Sequence, residues 1–241
     1  MTLSSTVYSK DFFDWQTVGS VKSAEVVVPM VLEMVHPNRV VDVGCGRGAW
    51  LSIFNTYGVN VLGCDGQYID LASLLIPQRC FRAVDLSKPS AVRELGRFDL
   101  CISLEVAEHL DCRVAKEFVS TLTELAPIVL FSAAIPFQGG EHHVNEQWPR
   151  YWADLFAAHD YAWLDPFRTK MWNDKRIEWW YRQNMFLFVA TQAMRPEWER
   201  HRTSAQELQL IDPNILHEMM RPKALIKKLL NKLWAKIHRP T

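Results

Sequence analysis

Neither sign of charge is in excess in this chain: across 241 residues, 27 lysines and arginines balance 27 aspartates and glutamates. No global field advertises a nucleic acid, and no basic stripe lies outside the C-terminal tail, so a nucleic-acid partner is not expected. No apolar run is long enough to span a bilayer, and the opening MTLSSTVYSKDFF lacks the basic flank and apolar core of a signal peptide. The five cysteines lie between Cys45 and Cys112 with no C-x-x-C, which excludes a disulfide framework and a cysteine-based zinc site. They suit small buried residues of a reduced, cytoplasmic protein. Glycine is scarce as well, ten in all, yet three of the ten stand at 44, 46 and 48.

Those three glycines organise the chain. Val40, Val41 and Val43 form a β-branched run suited to a strand buried on both faces of a parallel sheet. The run breaks into Gly44, Gly46 and Gly48 and resumes as a helical Ala49-Trp50-Leu51-Ser52-Ile53-Phe54. In a strand, glycine turn and helix, Cβ-free residues let the backbone approach a nucleotide-like ligand. The spacing is not G-x-G-x-x-G, and no Lys-Ser/Thr follows the last glycine, so neither a dinucleotide nor an ATP phosphate site is present.

With Asp42 at the strand's end, D-x-G-x-G-x-G resembles motif I of the class I methyltransferases that use S-adenosylmethionine. The resemblance implies that Asp42, Gly44, Gly46 and Gly48 surround the methionine part of the cofactor. A second strand, Val59 to Gly66, ends in Asp65, where a carboxylate accepts from both ribose hydroxyls, with Gly66 beside it. A third ends at Asp85, where the family places an acceptor for the adenine amino group, with Leu86 and Phe81 against the ring. A fourth, Phe98 to Leu104, leads into Glu105-Val106-Ala107-Glu108-His109, the expected floor of the active site.

Strands are expected near 39–44, 60–65, 80–84, 98–103 and 127–133, and helices near 48–57, 69–74, 89–94 and 113–124. Tyr161–Leu164 and Met185–Ala190 read as the family's last two strands. The expected fold is α/β: a doubly wound, seven-stranded, mostly parallel sheet with an antiparallel last strand, in three parts. A helical cap occupies 1–38, with a helix from Ser20 to His36 capped by Ser20 or Ser23 and interrupted by Pro29. The methyltransferase domain spans 39–195, and a helical tail 196–241. Tyr8, Phe12 and Trp15 are candidates for the acceptor pocket.

After the fifth strand, Ile135 to Pro149 is too polar for core and too rich in His, Asn, Gln and Trp for a mere connector. Loops at strand carboxyl ends carry catalytic groups. His143 is the candidate base for a hydroxyl acceptor, with His142 and Glu105 as partners. An alternative uses Glu105, Glu108, His109 and His143 (or His142) to hold a divalent ion, resembling small-RNA 2′-O-methyltransferases and ubiquinone-pathway O-methyltransferases.

The segments FFDWQTVGSVKSAEVVVP, SLEVAEHL, FSAAIPFQGGEHHVNEQWPRYW and WWYRQN resemble a bacterial methyltransferase group associated with surface-polysaccharide and glycan biosynthesis. The implied reaction is O-methylation of a saccharide hydroxyl, with Trp148, Tyr151, Trp152, Arg168, Trp172, Tyr181, Arg182, Gln183 and Asn184 as candidate sugar contacts. The alternatives are a small-molecule or quinone-type O-methyltransferase and a non-catalytic cofactor-binding scaffold. In the tail, Glu197 to Ile211 reads as a weakly amphipathic helix. Leu225, Ile226, Leu229, Leu230, Leu233, Trp234 and Ile237 then recur at helical spacing between five lysines. That pattern suits peripheral binding to an anionic membrane, or docking on the chain's own domain or a partner.

Overall fold

A computed structural model describes residues 10–203 together with 211 and 216, and side chains from residue 17 onward. Seven strands form one sheet: β1 Arg39–Val43, β2 Asn60–Asp65, β3 Phe81–Ala83, β4 Leu100–Leu104, β5 Ile128–Ser132, β6 Tyr161–Leu164 and β7 Phe186–Ala190. Their order is β3-β2-β1-β4-β5-β7-β6, parallel from β3 to β5, with β7 antiparallel to both β5 and β6. The first crossovers move outward from β1 to β3, and the chain then returns to β4 on the other side. Ligands gather at such a reversal, outside the strands' carboxyl ends.

Each central strand is apolar on both faces because each face is covered. Val40, Leu100, Ile102 and Leu130 point to one layer, and Val41, Cys101, Val129 and Phe131 to the other, the alternation that a period of two dictates. The first layer is closed by α1 Lys10–Val35, α2 Ala49–Thr56 and the later short helices. Ala24, Val27, Val28, Val31 and Val35 of α1 are buried there beside Leu51 and Phe54 of α2. The second is closed by α3 Ala115–Leu125 and α4 Pro149–Ala157, through Phe118, Leu122, Trp152 and Phe156. Two short helices, α5 Arg168–Met171 and α6 Trp179–Asn184, precede β7.

Several expectations are corrected. Helix α1 begins at Lys10 and passes through Pro29, so Ser20 and Ser23 are interior residues and not caps. Ser23 Oγ donates to the Gly19 carbonyl one turn back at 2.8 Å, and Ser20 Oγ lies 3.0 Å from the Tyr181 hydroxyl. The helices expected at 69–74 and 89–94 are 3-10 turns, Leu71–Ser73 and Pro89–Leu95. Asp70 closes the first onto the Ala72 amide at 3.0 Å, and Pro89 opens the second while Gly96 ends it. At the start of the tail, Pro196–His201 is also 3-10. Most of 204–241, including the basic amphipathic stretch, lies outside the described residues, as does Tyr8. Among the described residues no helix is long and apolar enough to cross a membrane.

Candidate active site

The turn after β1 is built from left-handed backbone. Gly44, Gly46 and Gly48 have φ of 87°, 53° and 82°, a region that a side chain disfavours. At Gly44 space also forbids one: a Cβ would sit 2.4 Å from Cγ2 of Val106. At Gly46 a Cβ would meet nothing within 4 Å, because that residue faces an open cavity. The turn is fastened to the next strand, since the Gly46 amide donates to Asp65 Oδ2 at 2.7 Å. Asp65 Oδ1 accepts from the Gly66 amide at 2.6 Å and from the Tyr68 hydroxyl at 2.5 Å.

Burial pushes the Asp65 carboxyl up, and these three donors pull it part of the way back. Asp42, also buried, is raised well above the ordinary carboxylate range, by burial first and by the neighbouring Asp65 charge second.

The cavity lies between this turn and the end of β4. It is a cleft open at its mouth, with a volume of about 150 Å³. Thr17 and Ser20 of α1, Asp42, Gly44 and Gly46 of the turn, and Trp50 of α2 line it. Asp65 and Tyr68, Leu86, Leu104, Glu105, His109 and Tyr181 complete the wall. Trp50 and Tyr181 meet edge to face with ring centroids 5.0 Å apart.

Glu105 is half-buried at the far wall, on left-handed backbone with φ of 57°. A non-glycine residue held there is strained by about 1–2 kcal/mol, and its surroundings compensate. Its amide donates to the Ser132 carbonyl at 3.0 Å, and its carboxylate accepts from Gln138 Nε2 at 2.8 Å and Asn184 Nδ2 at 3.3 Å. Burial raises its carboxyl, and the Gln138, Ser132 and Asn184 bonds work against the rise.

Behind it, Glu108 is wholly buried, and among the described residues neither carboxylate oxygen has a hydrogen-bond partner. Burial, then the Glu105 charge, push that carboxyl well up. His109 is driven down to about 4 by burial and by His143 and His142, so its imidazole is neutral near pH 7. Ligand atoms of Glu108, His109 and His143 all lie within 4.8 Å of one another.

A family described as "Methyltransferase domain" matches residues 24–184. The chain belongs to that family. A ubiquinone biosynthesis O-methyltransferase of Rhodopseudomonas palustris (strain BisB18) is 30% identical over 148 residues, 56% of this chain and 51% of its own. The chain thus spans about half the length of that curated relative. Two solved structures share the fold. An O-methyltransferase family protein from Burkholderia thailandensis has TM-score 0.54 and 14% identity, over 76% of this chain and 60% of that one. Magnesium protoporphyrin IX methyltransferase from Synechocystis PCC 6803, solved with SAM bound, has TM-score 0.51 and 20% identity, over 76% and 86%.

Of the residues read from the sequence, Asp42, Gly44, Gly46, Asp65, Leu86, Leu104, Glu105, His109 and Tyr181 line the cavity. Gly48 shapes the turn, and Gly66 adjoins Asp65. Asp85 stands apart from the lining. It lies beyond the short β3, half its side chain is in water, and Oδ1 accepts from the Ser87 amide and hydroxyl at 3.0 and 2.6 Å. His142 and His143 do not line the cavity either. His143 packs edge to face on His109 with centroids 4.8 Å apart, and its Nδ1 is 3.1 Å from Glu146 Oε1. The imidazole in the wall is that of His109.

The expected sugar contacts are mostly engaged elsewhere. Trp152 is core, Arg168 pairs with Asp165 at 2.7 Å, Arg182 donates to the carbonyls of Ile177 and Trp172, and Asn184 orients Glu105. Trp148 is exposed, and Tyr151 and Trp172 are half-buried. Sequence reasoning passed over Trp50, Thr17, Gln138 and Tyr68. The signal for Tyr68 was Gly66, a glycine that no turn demands.

Proposed function

We propose that the chain is an S-adenosylmethionine-dependent O-methyltransferase acting on a saccharide hydroxyl. One observation carries the catalytic part: an acid poised for hydroxyl groups, Asp65, and an oriented carboxylate with a neutral imidazole, Glu105 and His109, face one cavity at the sheet's carboxyl edge. The cradle fits the cofactor, since Gly46 leaves open space above the turn and the Asp65 carboxylate lies in the wall. When bound, S-adenosylmethionine supplies an activated methyl group on a sulfonium. Asp65 would accept from the ribose hydroxyls, the turn at Gly44 and Gly46 would admit the methionine part, and Leu86 and Leu104 would supply apolar surface.

The chain's own share of the chemistry is alignment and proton removal. Glu105, fixed by Gln138 and Asn184, accepts a hydrogen bond from a neighbouring hydroxyl of the acceptor and so orients the reacting one. His109, neutral near pH 7, takes the proton as the hydroxyl reacts, and His143 packs on its ring. Polar groups of Thr17, Ser20 and Arg47 in the wall suit a polyhydroxylated acceptor. Exposed Trp148 offers an aromatic face for a sugar ring. The experiment is turnover with labelled cofactor on two panels, nucleotide sugars and oligosaccharides against catechols and hydroquinones, with mass spectrometry of the product. Methyl transfer confined to the phenols would replace the saccharide by the quinone-type acceptor. Cofactor binding without turnover on either panel would leave a scaffold.

A second reading adds a divalent ion. What favours it is Glu108, whose buried oxygens lack partners and lie with His109 and His143 in one cluster. Glu105, engaged by two amides, is not part of that cluster. Those three residues would hold the ion, which lowers the pKa of a coordinated hydroxyl. Manganese should then raise the melting temperature of the wild-type protein and leave that of Glu108→Gln unchanged. Full activity after thorough chelation, with no thermal shift, would eliminate the ion.

A further inference from the structure

The end of β2 carries a side chain that neither the glycine turn nor the methyl transfer accounts for. The Ile69 amide donates to the Gly66 carbonyl at 3.2 Å, and Ile69 is buried, so the chain bends back and lays Tyr68 over the strand's end. The ring lies so close to Gly66 that a Cβ there would sit 2.1 Å from Cε1. Gly66 is not among the left-handed glycines, so the ring, not the backbone, requires glycine at 66. The Tyr68 hydroxyl ends on Asp65 Oδ1 at 2.5 Å, in the cavity wall.

A carboxylate offers about four lone-pair positions. On Asp65 two are taken by the Gly46 and Gly66 amides, fixed by the main chain, and a third by the Tyr68 hydroxyl. One remains, whereas two vicinal ribose hydroxyls need two. Of the three internal donors, only the tyrosine hydroxyl belongs to a side chain; the other two are main-chain amides.

We propose that the Tyr68 hydroxyl is a built-in substitute for a ribose hydroxyl: it occupies Asp65 in the cofactor-free protein, leaves as the cofactor enters, and so sets cofactor affinity and release. This rests on the reading of Asp65 as the ribose ligand. The hydroxyl keeps a buried carboxylate bonded between turnovers, and its return assists the departure of the spent cofactor.

The test is calorimetry of S-adenosylhomocysteine and of its 2′,3′-dideoxy analogue with the full chain and with Tyr68→Phe. Loss of the competing hydroxyl, a bond to a charged group, should tighten S-adenosylhomocysteine about tenfold or more. Its dissociation, followed by Trp50 fluorescence, should slow, and the dideoxy analogue should show no such gain. Equal or weaker binding by Tyr68→Phe, or an equal gain for the dideoxy analogue, overturns the substitution while leaving the cofactor reading intact. No binding by the wild-type protein fails that reading, and the proposal with it. Should Tyr68→Phe not fold, a crystal structure of the wild-type complex decides. Tyr68 displaced from Asp65 with both ribose hydroxyls in place supports the proposal, and Tyr68 still bonded there overturns it.

Discussion

At the scale of single residues, the cofactor end of the cavity depends on two carboxyls that burial makes reluctant to ionise. Asp65 answers that reluctance with three donors, whereas Asp42 has the Asp65 charge beside it and is raised further. Replacing Asp65 by Ala removes the acceptor of charge-assisted bonds, and cofactor affinity should fall by about 1.5–3 kcal/mol. Calorimetry checks this, and unchanged affinity would take Asp65 out of the ribose role. Asp42 makes a different prediction. A carboxyl whose value is raised in the folded state binds its proton more tightly there than in the unfolded chain, where it titrates near ~3.9. Its stabilisation is complete below that value and is lost as pH climbs through the raised one. The cofactor-free protein should therefore melt lower at pH 8 than at pH 5.5, and Asp42→Asn should flatten that slope and raise the melting temperature at pH 8. A slope unaltered in Asp42→Asn would refute the assignment. Both acids were legible because each stands at the end of an apolar run, within two residues of a glycine. The in-wall position of His109 was not, since the choice among His109, His142 and His143 depends on how a loop folds back. The Val144 and Asn145 amides both donate to the Glu108 carbonyl, at 2.9 and 3.0 Å, and the sequence carries no trace of that.

At the scale of elements, the site is a set of strand ends held in register by their neighbours. Asp42 lies opposite Gly63 and Ile102, and Leu104 opposite Ser132, so a slip in one pairing would carry its acid out of the cavity. The tightest joint is where the turn after β1 meets the turn after β4, Gly44 against Val106. Gly44→Ala faces two penalties: roughly 1–2 kcal/mol for left-handed backbone and roughly 1–3 kcal/mol for forcing a methyl into filled space. Adding Val106→Ala should recover the second part and leave the first. Denaturant melts of the single and double variants check this, and a double variant no more stable than Gly44→Ala alone would mean that Val106 is not the obstacle. Hydrophobic runs and glycine breaks announce such strands and the long amphipathic helices well. They announce less clearly the short 3-10 segments after β2 and β3, whose short apolar stretches mimic helix starts. Nor do they reveal that α1 continues toward its N-terminus past two serines, because a serine that bonds back to the preceding turn looks in sequence like a cap.

At the scale of the whole molecule, the parallel sheet was legible because strands and helices alternate from Arg39 onward, and Asp42 and Asp65 fall at the strands' carboxyl ends, whereas the strand order is a finding of the structure. Helix α1 belongs to this body and is no detachable cap: five of its residues are in the core, and two more line the cavity. The tail is another matter, for its apolar and basic residues have no described surroundings, and only their pattern speaks. Residues 223–237 alternate leucines, isoleucines and Trp234 with lysines and contain no acid. Such a segment, folded as a helix on an anionic bilayer, gains on the order of 1 kcal/mol per basic residue near the surface, in addition to its apolar burial. The full chain should therefore sediment with vesicles rich in phosphatidylglycerol, and increasingly weakly as salt is raised. Removing residues 222–241 should abolish that binding. It should leave cofactor affinity unchanged, since the described residues that line the cavity run from Thr17 to Tyr181. Full-length protein remaining in the supernatant at low salt would dismiss the membrane reading, while lost cofactor affinity in the shortened protein would instead mean that the tail docks on its own domain.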